Sequence, residues 1–190
     1  MKLILGSSSP QRQKILKDMG YDFDIIKPEA DEKSVQLNDP KDLALKVSHL
    51  KADAVVKKAD NNSIVIASDS IVVVDNIVHE KPRDKEQAYQ WLAELSQGAP
   101  QTIITSLVIV NTKTKERLSG IEEGVVTYNP IPQKVIAEFV ESGKTFNHSG
   151  GFAMQKEPFK SYTKELKGEE EALIGLPKKL TQDLLKKAGF

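Results

Sequence analysis

The chain has 190 residues, 39% of them hydrophobic, and its 27 Lys and Arg residues balance 27 Asp and Glu residues. A chain of this length fits one domain, or one domain with two lobes, and its apolar content suffices for a packed core. Because the net charge is zero, no global field attracts nucleic acid, and any anion site must be built locally.

The chain contains no cysteine, which excludes disulfides, thiolate metal sites and thiol nucleophiles and is compatible with the cytoplasm. The apolar run at the N-terminus is too short for a signal peptide, and no run approaches the ~20 residues of a membrane span. We therefore expect a cytoplasmic protein with neither a membrane nor a nucleic-acid partner.

A strand, a small-residue loop and a helix are predicted at the start of the chain. Lys2 to Leu5 forms the strand, and the loop ends in Ser9, an N-cap candidate, with proline at the first helical position. Free N–H groups at such a helix start favour an anion. Arg12 lies in the first turn, where a cation opposes the helix dipole, which suits a phosphate ligand, although most arginines are simply solvated.

An acidic pair and a helix follow an alternating strand pattern over Tyr21–Ile26. The pair is Asp31-Glu32, which is either solvated or holds a hard divalent cation. The sequence Asp39-Pro40 starts the helix, and Lys51 lies off its apolar stripe, as a surface lysine also would.

The central stretch, 63–76, contains two β-branched runs, Ile64–Ile66 and Ile71–Val74, the second ended by the turn-prone pair Asp75-Asn76. Asp69 lies between them. A carboxylate in that position is costly unless it meets a metal, a cation or hydrogen-bond donors. Two interpretations stay open from the spacing alone: a bend whose aspartate caps the backbone, and an acidic group at the floor of a site.

The remainder of the chain alternates strands and helices, which predicts an α/β fold. His148 has no second ligand nearby in the sequence and is interpreted as structural, and the segment 156–168 is ambiguous. The predicted elements are a helix from about Asp84 to Gly98, strands at Thr102–Val110 and Gly124–Tyr128, a helix from Pro132 to Gly143 and a last helix containing Leu180, Leu184 and Leu185.

The groups that suggest chemistry are the loop with Arg12, the acidic pair, Lys51, Asp69 and Lys81, which precedes a helix. Carboxylates with several cations fit metal-assisted chemistry on a polyphosphate. The metal neutralises phosphate oxygens and activates water, while the cations stabilise the leaving group.

The sequence resembles the Maf (septum-formation inhibitor-like) nucleoside triphosphate pyrophosphatases over essentially its whole length. Each matching piece is short, but together they occur in the family's order. They are SSPQR at 8–12, DE at 31–32, LKA at 50–52, SDSIV at 68–72, KP at 81–82, SG at 149–150 with Gln155, and IGLP at 174–177.

The resemblance implies hydrolysis of the α–β phosphoanhydride of a nucleoside triphosphate, with Mg²⁺ or Mn²⁺, to a monophosphate and pyrophosphate. It implies an elongated mixed sheet flanked by helices, like that of inosine triphosphatase, in one family domain over 1–190 with two lobes and a cleft. A homodimer is compatible with it.

The resemblance also assigns roles to residues. Asp69 matches the catalytic acid, taken as the proton acceptor for water or as a metal-linked base, and Glu32 with Asp69 matches the metal-site carboxylates. Lys51 and Lys81 match catalytic cations that handle phosphate. The matching substrate-binding residues are Ser8, Gln11, Arg12, Ser70 and Gln155.

Three positions bear on the choice of base: Gln11, Ser70 and Gln155. Family members acting on dTTP and UTP carry Arg, Thr and Gln there, whereas the 7-methyl-GTP branch carries Trp, Gln and Glu. A glutamine offers both donor and acceptor to a pyrimidine edge, so Gln155 and the hydroxyl of Ser70 favour dTTP, UTP or modified pyrimidine nucleotides. Gln11 matches neither branch, and Asn147-His148 replaces the usual Asp-Lys.

One alternative is a pyrophosphatase for 7-methyl-GTP or another modified nucleotide, and an alternative from a different class is a low-turnover nucleotide-binding regulator of cell division. The intact Asp69, Glu32, Lys51 and Lys81 favour the enzyme, because binding alone needs no base. Nucleic-acid binding is disfavoured by the zero net charge.

Overall fold

A computed structural model describes residues 1–190 and contains one mixed sheet of seven strands with seven α-helices, which confirms the predicted α/β class. The strands are β1 (Lys2–Leu5), β2 (Asp24–Ile25), β3 (Ser63–Val74), β4 (Ile77–His79), β5 (Gln101–Asn111), β6 (Arg117–Tyr128) and β7 (Thr163–Lys167). The helices are α1 (Pro10–Asp18), α2 (Pro40–Val56), α3 (Lys85–Ser96), α4 (Gln133–Glu141), α5 (Phe159–Tyr162), α6 (Glu170–Ile174) and α7 (Lys178–Lys187).

The strand order is β2-β1-β3-β5-β6-β7, and β4 pairs with β3 outside this path. Strand β1 is parallel to both β2 and β3, whereas the β3–β4 and β6–β7 pairs are antiparallel. The parallel pairs need crossover helices, and α1 and α2 supply them along the chain.

Strand β3 is continuous through Asp69, so of the two interpretations left open by the sequence, the bend at Asp69 is wrong. The first residues of β3, Ser63 to Ile66, pair with β1, and its last three, Val72 to Val74, pair with β4. Asp69 therefore lies where β3 has passed the end of β1 and has not yet met β4. The strand accommodates this polar residue because its backbone is paired with β1 before Asp69 and with β4 after it.

The two faces of β3 pack against different helices. Ile64 and Ile66 belong to a buried cluster with residues of α1 and α7, whereas Val65 and Ala67 belong to a cluster with residues of α2. Because side chains alternate along a strand, Asp69 continues the α2 face, and Ser68 and Ser70 continue the α1 and α7 face.

Three helix starts confirm the sequence prediction through their caps. The Ser9 hydroxyl accepts from the backbone N–H of Arg12, and the carboxylates of Asp39 and Asp84 cap α2 and α3 in the same way. Each such cap contributes about 1 kcal/mol to helix stability.

The weaker predictions fail where the pattern is short. The strand expected over Tyr21–Ile26 shrinks to the two residues of β2, and α5, α6 and β7 are not predicted at all. Strand β4 was also missed, although the Asp75-Asn76 turn before it is real: both residues have positive φ, 48° and 64°, as a tight hairpin requires.

The chain divides into two compact units. Unit 1 comprises Met1–Ser70, Ile104–Glu122 and Glu169–Phe190, and unit 2 comprises Ile71–Ile103 and Glu123–Gly168. Unit 1 contains both apolar clusters described above. The core of unit 2 includes edge-to-face aromatic contacts of Phe159 with Tyr128, Phe139 and Phe152. None of the helices is both long and apolar enough to span a membrane.

Candidate active site

The candidate site in unit 1 contains a lysine that contacts two carboxylates. The Nζ of Lys51 lies 2.7 Å from Asp69 Oδ1 and 3.0 Å from Glu32 Oε2. The side chains of Lys51 and Asp69 are only 10% and 13% exposed, whereas that of Glu32 is 48% exposed. The predicted residues Glu32, Lys51 and Asp69 are thus in direct contact, and positive charge lies between the two acids.

Helix α2 holds Lys51 in place through buried hydroxyl contacts one turn earlier. The hydroxyls of Ser48 and Ser106 lie 2.6 Å apart, and Ser106 donates to the carbonyl of Ala44 at 2.7 Å. These contacts attach α2 to strand β5. They also satisfy polar groups that would otherwise be costly to bury, so the helix cannot rotate without breaking them.

The second cation of the site, Arg12, extends from the first turn of α1. Its Nε donates to the carbonyl oxygen of Gly175 at 2.8 Å, and its Nη2 donates to the Ser70 hydroxyl at 3.1 Å. Burial lowers the pKa of Arg12, while the nearby charges of Asp69 and Glu32 raise it. Because a guanidinium has five N–H groups, further donors remain for an anionic ligand.

Gly175 is a site residue that sequence reasoning included in a motif but assigned no role. Its carbonyl oxygen also accepts a hydrogen bond from the Ser68 hydroxyl at 2.9 Å. The residue ends α6 with φ +124°, and a Cβ there would lie 3.1 Å from Arg12 Nε and 3.3 Å from Ser70 Oγ. Glycine is needed both for the backbone conformation and for the close approach of the arginine. The Gly-Leu-Pro sequence after a short helix was the available indication.

The Gly/Ser loop between β1 and α1 is organised by its own serines. The Ser7 hydroxyl accepts from the N–H of Ser9 at 3.1 Å, and the Ser9 hydroxyl donates to Oε1 of Gln11 at 3.0 Å. Gly6 begins the loop because a Cβ would lie 2.9 Å from the Val55 side chain. Ser8 is exposed on this loop. Gln11, one of the three positions expected to bear on the choice of base, thus forms a contact within the loop.

Two predicted residues, Lys81 and Gln155, belong to unit 2. Lys81 is exposed after β4, and Gln155 is half-buried. Burial lowers the pKa of His148, and the charges of Lys156 and Lys81 lower it further. The catalytic role of Lys81 and the specificity role of Gln155 stay predictions.

The predicted metal site has two carboxylates in this structure, those of Glu32 and Asp69. No group of three or more His, Cys, Asp or Glu side chains that could hold a metal ion is found. Mg²⁺ is usually bound by one or two carboxylates together with phosphate oxygens of the substrate. The donor set therefore fits a cation that binds together with a nucleotide, and the contact with Lys51 marks a position that favours positive charge.

The Maf-like protein family model matches residues 2–188. The chain belongs to this family. That result confirms the resemblance inferred from the short motifs, and two of those motifs, DE at 31–32 and SDSIV at 68–72, supply the carboxylates that meet at Lys51.

Relatives of this Maf-like chain include proteins with two different named activities. A 7-methyl-GTP pyrophosphatase of Dictyostelium discoideum is 35% identical over 190 residues, covering 96% of this chain and 95% of the relative. A dTTP/UTP pyrophosphatase of a Thermoanaerobacter species is 32% identical over 187 residues, covering 98% of this chain and 96% of the relative.

Among solved structures, a nucleoside-triphosphatase / dITP/XTP pyrophosphatase of Mycobacterium abscessus is similar with a TM-score of 0.42 and 19% identity. That similarity covers 70% of this chain and 75% of the other.

Proposed function

We propose that the protein is a nucleoside triphosphate pyrophosphatase that cleaves the α–β phosphoanhydride to a nucleoside monophosphate and pyrophosphate. The observation that carries the proposal is the contact of Lys51 with both Asp69 and Glu32, in a chain of the Maf-like family. The named activities of the relatives, pyrophosphatases in both branches, support the same enzyme class.

In this reaction Asp69 accepts a proton from water as the water oxygen forms a bond to the α-phosphorus. The bond between the α-phosphorus and the bridging oxygen breaks, and pyrophosphate leaves with the electron pair. Lys51 holds the Asp69 carboxylate in place through its 2.7 Å hydrogen bond. Arg12 supplies a second, fixed cation for phosphate oxygens.

We infer that the reaction uses a divalent cation, Mg²⁺ or Mn²⁺, held by Glu32 and Asp69. When bound, such an ion withdraws charge from phosphate oxygens and makes water more acidic. Lys81 is included in the proposal as a further phosphate-binding cation, on the motif match alone.

For the base, the proposal favours dTTP, UTP or a modified pyrimidine nucleotide, and 7-methyl-GTP is the second candidate. Gln155 and Ser70 support the pyrimidine class, since Gln155 presents both a donor and an acceptor. Relatives of both classes match over nearly the whole chain, at 35% and 32% identity. Gln11 agrees with neither branch.

The deciding experiment measures pyrophosphate release across dTTP, UTP, CTP, GTP, ATP and 7-methyl-GTP, with Mg²⁺, with Mn²⁺ and with chelator. Release of pyrophosphate rather than orthophosphate, lost in chelator, supports the proposed reaction. Absence of release from every nucleotide, together with measurable nucleotide binding, would overturn it in favour of a low-turnover regulator.

The role of Gln155 has its own test. Gln155→Glu places an acid against pyrimidine carbonyls and is expected to lower kcat/KM for UTP and dTTP relative to GTP and 7-methyl-GTP. Equal ratios in the variant and the parent protein would remove Gln155 from the base site. Gel filtration with light scattering tests for the homodimer that the family resemblance allows.

A further inference from the structure

A buried threonine on β5 links the candidate site to helix α6. Thr105 is 0% exposed, and its hydroxyl donates to the carbonyl oxygen of Ala172 at 2.7 Å. The Thr105 hydroxyl oxygen also lies 2.8 Å from the hydroxyl of Ser70. No motif in the sequence marked this residue.

The chemistry of these contacts decides which hydroxyl donates to which. A carbonyl oxygen accepts only, and a threonine hydroxyl has one proton. The proton of Thr105 is therefore used on Ala172, and the contact between the two hydroxyls must use the proton of Ser70. Ser70 donates to Thr105 and accepts from Arg12 at 3.1 Å.

A ligand consequently meets Ser70 as an acceptor. The oxygen has two lone pairs, and Arg12 occupies one of them. The remaining lone pair can receive an N–H or O–H group, whereas an approaching acceptor finds no proton. If the Ser70 hydroxyl turned its proton toward the ligand, no proton would remain between the oxygens of Ser70 and the buried Thr105, and their hydrogen bond would be lost.

We propose that Thr105 is a positioning residue that keeps Ser70 an acceptor, so that the site selects nucleotides whose base carries a ring N–H. The inference rests on the proposed function, with Ser70 at the base. Uracil, thymine and guanine carry such an N–H on the pairing edge, whereas cytosine and adenine present a ring nitrogen acceptor there. The substrates named for both groups of relatives belong to the first class.

The test compares kcat/KM within two pairs of similar size, UTP against CTP and GTP against ATP. The parent protein is expected to prefer the ring N–H member of the pair that it hydrolyses by about tenfold or more, since a site built to accept rejects an acceptor. In Thr105→Val the Ser70 hydroxyl is free to donate, so the ratio falls toward one, with kcat/KM for UTP reduced and that for CTP unchanged or raised. Thr105→Ser restores the ratio.

Two controls separate this role from a general loss of stability. Thr181 is also 0% exposed, and its hydroxyl donates to the carbonyl of Pro177 at 2.6 Å, so Thr181→Val is a matched variant expected to keep the ratio. In a Ser70→Ala background, Thr105→Val is expected to have no further effect on the ratio, because it acts through Ser70.

An equal loss on both members of a pair in Thr105→Val, or no preference in the parent protein, would overturn the inference. A parent ratio near one overturns the inference even if Thr105→Val does not fold. If no nucleotide releases pyrophosphate, the proposed function fails by itself. In that case calorimetric affinities for UTP and CTP replace kcat/KM in the comparison. Equal affinities, or no binding, would refute the role of Thr105.

Discussion

At the residue scale, the proposed reaction depends on the carboxylate of Asp69, which contacts Lys51. Asp69→Asn keeps the volume but removes the proton acceptor, and we expect kcat to fall by about 10²-fold or more. The melting temperature should fall by less than in Lys51→Met, because the amide oxygen of the substituted side chain still accepts a hydrogen bond from Lys51 and Glu32 still pairs with that lysine. Asp53→Asn is the control: Asp53 is an exposed carboxylate on the same helix as Lys51, paired with Arg117. Activity near that of the parent protein in Asp69→Asn would contradict the mechanism.

Lys51 is expected to matter for stability as well as for activity. Lys51→Met leaves two carboxylates without their shared cation, and the free energy of unfolding should fall by about 2 kcal/mol, as for other charged hydrogen bonds. Urea denaturation measures this change. Lys46 is an exposed lysine on the same helix, and Lys46→Met should change it by less than about 0.5 kcal/mol. A similar small change for both variants would show that the contacts of Lys51 contribute nothing net.

At the element scale, the short helix α6 positions side chains of the candidate site. Carbonyl groups near its end, those of Ala172 and Gly175, accept from Thr105, Arg12 and Ser68. The last carbonyls of a helix have few partners within it, and that of Ala172 also accepts from the backbone N–H of Gly175. Here these carbonyls fix the side chains that β3, β5 and α1 bring to the site.

Gly175→Ala tests the end of α6. The new Cβ would strain a backbone with φ +124°, so we expect the free energy of unfolding to fall by about 1–3 kcal/mol. It would also lie 3.1 Å from Arg12 Nε and displace that side chain, so we expect kcat/KM to fall at least tenfold. Gly20→Ala has the same kind of strain, with φ +84°, but no atom within 4 Å of the new Cβ. It should lose stability alone. Full activity in Gly175→Ala would show that Arg12 need not be held there.

At the scale of the whole molecule, histidines make folding sensitive to acid. His79 is buried and stacked on Trp91 with ring centroids 4.1 Å apart. Burial lowers its pKa, partly offset by Glu94 and Asp75. The unfolded chain therefore binds a proton more readily, and stability present above about pH 6.5 is lost as the pH falls below that value.

The corresponding prediction compares the free energy of unfolding at about pH 7.5 and pH 5.5 in urea. The parent protein should be less stable at the lower pH, and His79→Phe, which keeps an aromatic stack on Trp91, should show a smaller difference. His49 and His148 also have lowered pKa values and leave a residual slope. An identical difference in parent and variant would remove His79 as a source of the pH dependence.

The sequence by itself determined the helix starts, the α/β class and the family, because caps such as Ser9-Pro10 and short motifs around Asp69 are local patterns. It also named Arg12 and Asp69 from their local settings, whereas the roles of Glu32 and Lys51 were implied by the resemblance to the family. It misjudged β3 as two runs, because one polar residue interrupts a pattern but not a hydrogen-bonded ladder.

The tertiary structure alone decided how these residues meet. Arg12 contacts Gly175 across 163 positions of sequence, and no local pattern records such a contact. Thr105 lies in an apolar strand, and its role cannot be predicted until its hydrogen-bond partners, Ala172 and Ser70, are known. Local propensity specifies elements, whereas the direction of a hydrogen bond depends on which acceptor packing places beside the donor.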